Sequence, residues 1–286
     1  MPIISLVNIH KAFGNEVVFG GIDAKFFRGE KVGLVGANGC GKTTIFRLIL
    51  GEIEADVGEV RKGKGIRIGY LPQEASFDGT KTVLEEMHSG LEELFAVGQR
   101  MEEVSKRLGV LSGKSLDDAM REYDRLTHAF EIGGGFTYES KTKSILAGLG
   151  FQQEHFHVTT DELSGGQLSR LGLGKVLLGD TDVLLLDEPT NHLDVGHQLS
   201  VLDLICKLNQ QTNMTVISVF HDLNLASEYC HRLMVLDKGQ VESLGSPRDV
   251  LTSDMIHKVY GAKVLTEKNP VSQNPHIILA AGLNHK

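Results

Sequence analysis

The chain has 286 residues, 41% of them hydrophobic, which is enough to fill one large α/β domain or a core domain with a subdomain. Its net charge of −8 disfavours binding to nucleic acid through general electrostatics, and we expect no direct DNA binding. No apolar run reaches the roughly 18 residues of a membrane span, and the start lacks a signal-peptide pattern. Three widely separated cysteines fit a reducing cytoplasm without structural zinc.

The first 35 residues carry strand patterns. Residues 3–9 are apolar with breaks, and residues 22–26 alternate between apolar and charged side chains, so we predict a β layer. Phe13 falls in the loop between these strands. Its ring could stack on a nucleotide base, and packing in the protein core is the alternative.

The segment from Gly36 to Thr43 matches the phosphate-binding pattern G-x-x-x-x-G-K-[ST]. A strand pattern precedes it, and a helix pattern follows until Gly51. Glycines let backbone N–H groups approach phosphate oxygens, Lys42 supplies a cation to the β- and γ-phosphates, and Thr43 supplies a hydroxyl to Mg²⁺. The predicted nucleotide-binding residues here are Gly36, Ala37, Asn38, Gly39, Cys40, Gly41, Lys42, Thr43 and Thr44.

Cys40 lies within this loop, beside Lys42 and a predicted helix N-terminus. Both features favour a thiolate, so we expect the pKa of Cys40 to be lowered and bound nucleotide to protect the thiol. The alternative is that Cys40 is a small apolar side chain of ordinary reactivity.

The character of the chain changes after the glycine loop. Residues 65–73 predict a short strand that ends in a loop presenting Gln73. From Thr80 to Phe156 the pattern is helical, with apolar residues at helical spacing between 116 and 130. We interpret this stretch as a helical subdomain inserted into the α/β core and broken by three glycines at 133–135.

Two further strands end in polar residues. The run 183–186 is continuously apolar, which is typical of a parallel strand buried on both faces, and it ends in Asp187 and Glu188. Ligands bind beyond the carboxyl ends of parallel strands. We therefore predict that Asp187 organises Mg²⁺ and Glu188 polarises the attacking water. The strand at 215–219 places His221 at the same edge, where it could donate to a γ-phosphate oxygen.

The last part of the chain is mixed in character. Residues 233–244 predict a hairpin around Lys238-Gly239. Two short helices ending near Tyr260 follow, and strands are predicted at 263–266 and 277–279.

These motifs together give the chain a resemblance to ABC ATPases over nearly its whole length. They occur in the order typical of that family: the glycine loop, Gln73, Leu163 to Gln167, Asp187 with Glu188, Asp194 and His221. The resemblance implies an α/β P-loop cassette with a mostly parallel core sheet, an N-terminal antiparallel β layer and an inserted helical subdomain. It also implies ATP and Mg²⁺ as ligands.

The resemblance also implies residue roles. Phe13 would stack on adenine, Gln73 would sense the γ-phosphate and metal, and His221 would be the switch histidine. The catalytic set is then Glu188, His221, Lys42 and Gln73, and the metal set is Thr43, Gln73 and Asp187. Asp194 would be the D-loop aspartate. The implied signature residues are Ser164, Gly165, Gly166 and Gln167. They would bind the nucleotide of the partner chain in a head-to-tail homodimer with ATP between the two chains.

The finer resemblance is divided near Asp194. Residues 1–194 are similar to ABC-F class cassettes, as in Tyr123 to Phe130 and Thr190 to Asp194. The remainder, including His221 to Ala226 and Val259 to Gly261, is similar to ATPase subunits of iron-siderophore, haem and cobalamin importers. We predict one ABC ATPase domain over 1–286, divided as follows: core at 1–76 and 157–245, helical subdomain at 77–156, importer-like tail at 246–286.

Three functions remain open after this resemblance. The importer-like tail favours an energy-coupling subunit that is cytoplasmic and peripheral at the inner face of the plasma membrane through a transmembrane permease. The ABC-F-like part favours a soluble ATPase that acts on the ribosome. The third hypothesis is an orphan chimeric cassette with ATPase activity only.

Overall fold

A computed structural model describes residues 1–73, 75–191 and 193–279. The described residues form two compact units, which we call the core unit and the helical unit. The described residues of the core unit fall within 1–75 and 180–286, and the helical unit is Ser76–Gly179. Within the described ranges, no helix is both long enough and apolar enough to cross a membrane.

All strands that the structure describes lie in the core unit. In chain order they are β1 (Pro2–Phe13), β2 (Glu16–Phe27), β3 (Lys31–Gly36), β4 (Val57–Lys62), β5 (Ile68–Leu71), β6 (Val183–Leu186), β7 (Thr215–Val219), β8 (Arg232–Asp237), β9 (Gln240–Gly245), β10 (Leu265–Lys268) and β11 (Pro275–Ile278). The helices are α1 (Lys42–Leu50), α2 (Val83–His88), α3 (Glu92–Leu108), α4 (Lys114–Ile132), α5 (Tyr138–Gly148), α6 (Gly165–Leu178), α7 (Val195–Thr212), α8 (Leu223–Tyr229), α9 (Pro247–Val250) and α10 (Ser253–Tyr260). Two 3₁₀ turns are Gln153–His157 and Thr160–Glu162.

The central sheet has the strand order β5-β6-β7-β3-β8-β9. Its first five strands run parallel, and β9 pairs antiparallel with β8. Every residue of β6 and β7 is buried, as the continuous apolar run at 183–186 predicted. Consequently β3, β6 and β7 all end at one sheet edge, where the glycine loop, Asp187 and His221 follow them.

A separate antiparallel sheet, in the order β2-β1-β4, covers one side of the core. Along β2, the side chains of Ile22, Ala24 and Phe26 are buried and alternate with exposed residues, as the sequence pattern predicted. They belong to the same hydrophobic cluster as Phe46 of α1. The predicted fold class, an α/β fold with a mostly parallel sheet and an antiparallel N-terminal layer, is confirmed.

The helical unit is built differently. Apolar residues of α4 face α3, but a two-helix hairpin covers them only partly, so within this helix Ala119 alone is buried while Met120 is 51% exposed. Phe130 packs where a Cβ on Gly98 or Gly135 would collide with its ring. The glycine run that ends α4 therefore also makes room for an aromatic side chain.

The described part of the C-terminal segment, residues 246–279, packs within the core unit. Helix α10 begins at the Thr252 cap and ends at Gly261, whose φ of +69° favours glycine. Lys258 forms an ion pair with Glu242 of β9, which joins α10 to the central sheet. Strand β10 starts two residues later than expected, and it pairs with β11 in a small antiparallel sheet.

Candidate active site

The glycine loop lies between β3 and α1. Gly36 has a φ of +148°, and a Cβ there would meet the Leu236 carbonyl oxygen at 2.2 Å, so a side chain cannot fit. Gly41, at φ +99°, precedes α1, and a Cβ would collide with the Phe19 ring. These close approaches fix the loop beside the exposed N-terminal amides of α1.

An open cleft of about 470 Å³ lies over this loop. It is lined by Phe13, Glu16, Val18, Asn38, Gly39, Gly41, Lys42, Thr43, Thr44, Gln73, Glu188 and His221. Residues from distant parts of the core unit, which the sequence analysis had assigned to a nucleotide site, thus share one cavity of ordinary ligand size. Glu16 and Val18 were not among the predicted residues.

Lys42 is held by the loop that precedes it. Its Nζ donates to the carbonyl oxygens of Gly36 and Ala37, both at 3.0 Å, and the residue is only 7% exposed. The ammonium is therefore ordered at the floor of the cleft before any phosphate arrives.

Thr43 and Asp187 form the second element of the site. The Thr43 hydroxyl donates to Oδ2 of Asp187 at 2.8 Å. Burial raises the pKa of Asp187, and the Thr43 hydrogen bond partly offsets this. The other carboxylate oxygen, Oδ1, is buried and accepts no hydrogen bond from the described residues. A buried oxygen without a partner beside a hydroxyl is a donor set that fits Mg²⁺.

Glu188 is the meeting point of several side chains. Gln73 Nε2 donates to its Oε2 at 2.9 Å, and His221 Nε2 contacts its Oε1. Asn191 Nδ2 also donates to Oε2. Glu188 itself has a φ of +56°, which is uncommon for a residue with a side chain and is frequent at functional sites.

The environment of Cys40 gives its thiol a raised pKa, not the lowered pKa that the sequence predicted. The residue is 8% exposed, and burial raises the pKa of its thiol. Lys42, whose Nζ lies 3.9 Å from Sγ, lowers that pKa but does not outweigh the burial. The prediction of a lowered pKa was therefore wrong, because proximity to a cation in the sequence gave no information on desolvation.

Tyr260 contacts the phosphate loop, and the sequence analysis did not predict this contact. Burial raises its pKa to about 12, Cys40 adds to this rise, and a hydrogen bond donated by the Gly36 backbone N–H opposes it. The last residue of α10 thus touches the start of the phosphate loop from the C-terminal segment. The run Val259 to Gly261 was noticed only for its resemblance to importers, and nothing in its pattern indicated this contact.

The predicted signature residues belong to the helical unit. Ser164 caps α6: its hydroxyl accepts from the Gln167 N–H, and the Gln167 side chain accepts from the Ser164 N–H. Gly165 and Gly166 form the first turn of this helix. Part of the run is therefore explained by helix capping, which leaves the glycine amides at the helix N-terminus.

Phe13 and Asp194 complete the predicted set. Phe13 ends β1 and lines the cleft, with the ammonium of Lys11 over its ring. The residue is 45% exposed, which excludes packing in the core. Asp194 accepts from the backbone N–H of His197 at the start of α7, and this bond lowers its pKa. It does not line the cleft. His192, in the same run, lies outside the described residues.

Comparison with known proteins identifies the family. A family model described as ABC transporter matches residues 19–191, which is more than half of the chain. The chain belongs to the ABC transporter family. The Arabidopsis thaliana protein "ABC transporter F family member 5" is 33% identical over 82% of this chain and 34% of its own length. The ferric enterobactin transport ATP-binding protein FepC of Escherichia coli is 28% identical over 93% of this chain and 90% of its own length.

The predicted resemblance to both an F class and importer ATPases is thus confirmed. A chain from an ABC transporter solved in an inward-facing conformation has the same fold, with a TM-score of 0.70, 22% identity and coverage of 97% of this chain and 96% of that one. The present chain spans only 30% to 42% of the length of several relatives that it matches at 31% identity or more.

Proposed function

We propose that the chain binds MgATP in the cleft and hydrolyses it to ADP and phosphate. The observation that carries this proposal is the convergence of Lys42, Thr43 and Asp187 with Glu188 on one side of the sheet, beside a glycine loop. Membership of the ABC transporter family supports it, since ATP hydrolysis is the general chemistry of that family.

In this proposal the glycine loop and Lys42 hold the β- and γ-phosphates. Phe13 stacks on the adenine through its exposed face. Thr43, Gln73 and Asp187 are the residues that would hold Mg²⁺, which neutralises phosphate charge when bound. The Oδ1 atom of Asp187, buried without a hydrogen-bond donor, is the strongest support for a cation there.

Glu188 then acts as the general base. Its carboxylate accepts a proton from the water whose oxygen attacks the γ-phosphorus, and the bond from that phosphorus to the bridging oxygen breaks to release ADP. His221 donates to a γ-phosphate oxygen and so orients the group that is transferred. The contact of His221 with Glu188 supports both roles, because it brings the two side chains to the same point of the cleft.

A second copy of the chain would complete the site. The N-terminus of α6, with Ser164 and the amides of Gly165 and Gly166, offers donors for an anion. In a head-to-tail homodimer these would face the ATP held by the other copy. Asp194 is assigned to the same interface by its position in the motif order.

We propose further that hydrolysis drives transport through a transmembrane permease. FepC, a transport ATP-binding protein, aligns over nearly the full length of both chains, and this supports a role in transport. The F family relative supports the alternative, an ATPase that works on the ribosome. An orphan ATPase is the third outcome.

The test has two stages. Purified chain should hydrolyse MgATP, and absence of turnover in both the free and partner-bound protein would refute the enzymatic proposal. Tagged chain is then recovered from detergent-solubilised membranes and, separately, from ribosome pellets of its host. Co-purification of one multi-span membrane protein supports transport, ribosome association supports the alternative, and neither association with active hydrolysis supports the orphan.

A further inference from the structure

Asn191 contacts Glu188 through both its side chain and its backbone. Its Nδ2 donates to Glu188 Oε2, and its N–H donates to the Glu188 carbonyl oxygen at 3.1 Å. Asn191 follows Glu188 by three residues, so the two bonds close a compact turn on the general base. No role was assigned to Asn191 from the sequence.

The Glu188 carboxylate has three side-chain partners among the described residues. Gln73 and Asn191 share Oε2, and His221 contacts Oε1. These partners differ in one respect: Gln73 and His221 line the cleft, whereas Asn191 does not. Gln73 and His221 therefore face the space that the nucleotide would fill, whereas Asn191 contacts the carboxylate from outside the cleft lining.

This difference matters once the cleft is filled. The proposed function gives Gln73 a place at the metal and His221 a γ-phosphate oxygen, so both are drawn from Glu188 toward the ligand. Asn191 has no such competing partner. Glu188 also has a φ of +56°, an uncommon backbone conformation that is kept only where surrounding contacts support it, and the hydrogen bond from the Asn191 N–H to the Glu188 carbonyl oxygen is one such contact.

We propose that Asn191 is a positioning residue for hydrolysis, whose amide holds the Glu188 carboxylate toward the attacking water while Gln73 and His221 engage the nucleotide. This inference rests on the proposed function, because it assumes that Glu188 is the general base. It concerns the chemical step, so the affinity for MgATP should not depend on Asn191.

Two substitutions separate positioning from packing. Asn191→Ala removes the amide, and we expect kcat to fall about tenfold with MgATP affinity unchanged, since one hydrogen bond to a charged group is lost. Asn191→Asp keeps the shape but replaces the donor with a negative acceptor beside Glu188, so kcat should fall further. Gln211→Ala, which removes an exposed amide at the end of α7, is the matched control and should match the unmodified protein.

The decisive experiment repeats Asn191→Ala in a Glu188→Gln background. If Asn191 acts through the carboxylate, the second substitution should leave the residual single-turnover rate within about twofold, as expected for one shared pathway. A merely structural role would lower melting temperature and MgATP affinity in both backgrounds and would overturn the inference. An unchanged kcat in Asn191→Ala would also overturn it.

Failure of the proposed function gives a different result. If the unmodified chain hydrolyses MgATP and Glu188→Gln does so equally well, then Glu188 is not the base and the enzymatic mechanism fails along with this inference. If Glu188→Gln alone is inactive while Asn191→Ala and Asn191→Asp are fully active, only the positioning inference fails.

Discussion

Replacement of Lys42 tests the phosphate loop most directly. The Nζ atom makes two hydrogen bonds of 3.0 Å to the Gly36 and Ala37 carbonyl oxygens. We expect Lys42→Ala to weaken MgATP binding and abolish hydrolysis. One charge-assisted hydrogen bond contributes about 1.5 to 3 kcal/mol, which corresponds to roughly a 10- to 150-fold change in Kd.

The structure favours the lower part of this range for binding. Two of the three ammonium N–H groups bind carbonyl oxygens and the third contacts Cys40 Sγ at 3.9 Å, so a phosphate oxygen must replace or share one of these partners and the net gain on binding is smaller than the whole new contact. We therefore expect a loss of about tenfold in affinity and a larger loss in turnover, because negative charge shifts among the phosphate oxygens in the transition state.

Isothermal titration with MgATP and a phosphate-release assay measure the two effects. Lys42→Met keeps the unbranched shape and most of the length of the side chain at this buried position, so it separates lost charge from lost packing. Lys64→Ala, an exposed lysine outside the cleft, is the control for the change of residue type. Unchanged affinity and turnover in both Lys42 variants would refute the assignment of this loop as the phosphate site.

Three further predictions concern the same cleft. Glu188→Gln should bind MgATP and hydrolyse it only at a slow residual rate, and it should be dimeric by size exclusion with light scattering in MgATP but monomeric in ADP; a monomer at saturating MgATP contradicts the homodimer. Because burial raises the pKa of the Asp187 carboxyl above its ordinary value, the folded chain binds the carboxyl proton more tightly than the unfolded chain does. Stability therefore falls as pH rises from the ordinary pKa of Asp to the raised pKa in the folded chain. Asp187→Asn should thus raise the melting temperature at pH 7 and lose this advantage in acid below the ordinary Asp range, while hydrolysis is lost at all pH values. The raised pKa of Cys40 predicts slow maleimide labelling at neutral pH, faster labelling in alkali and protection by MgATP; mass spectrometry showing equal labelling with and without nucleotide would exclude the protection.

Local patterns in the sequence were sufficient for several core strands, the loop and the order of the motifs, but they did not indicate β4 and placed β10 two residues too early. The apolar run at 183–186 indicated a strand buried on both faces, and the pattern from Gly36 to Thr43 indicated a phosphate loop. Parallel strands end at one edge, so the sequence also predicted that Asp187 and His221 would lie near this loop. Such features depend on residue spacing and chain direction, which the sequence carries directly.

The tertiary structure alone decided how these groups interact. Cys40 is desolvated, Lys42 binds carbonyl oxygens of its own loop, Tyr260 reaches Gly36 from the C-terminal segment, and Asn191 holds Glu188. Burial and hydrogen-bond partners are set by atoms brought together from distant parts of the chain or by local turns whose side-chain orientation no periodicity encodes. A pattern in the sequence places a residue on an element, whereas its charge state and partners follow from the packing around it.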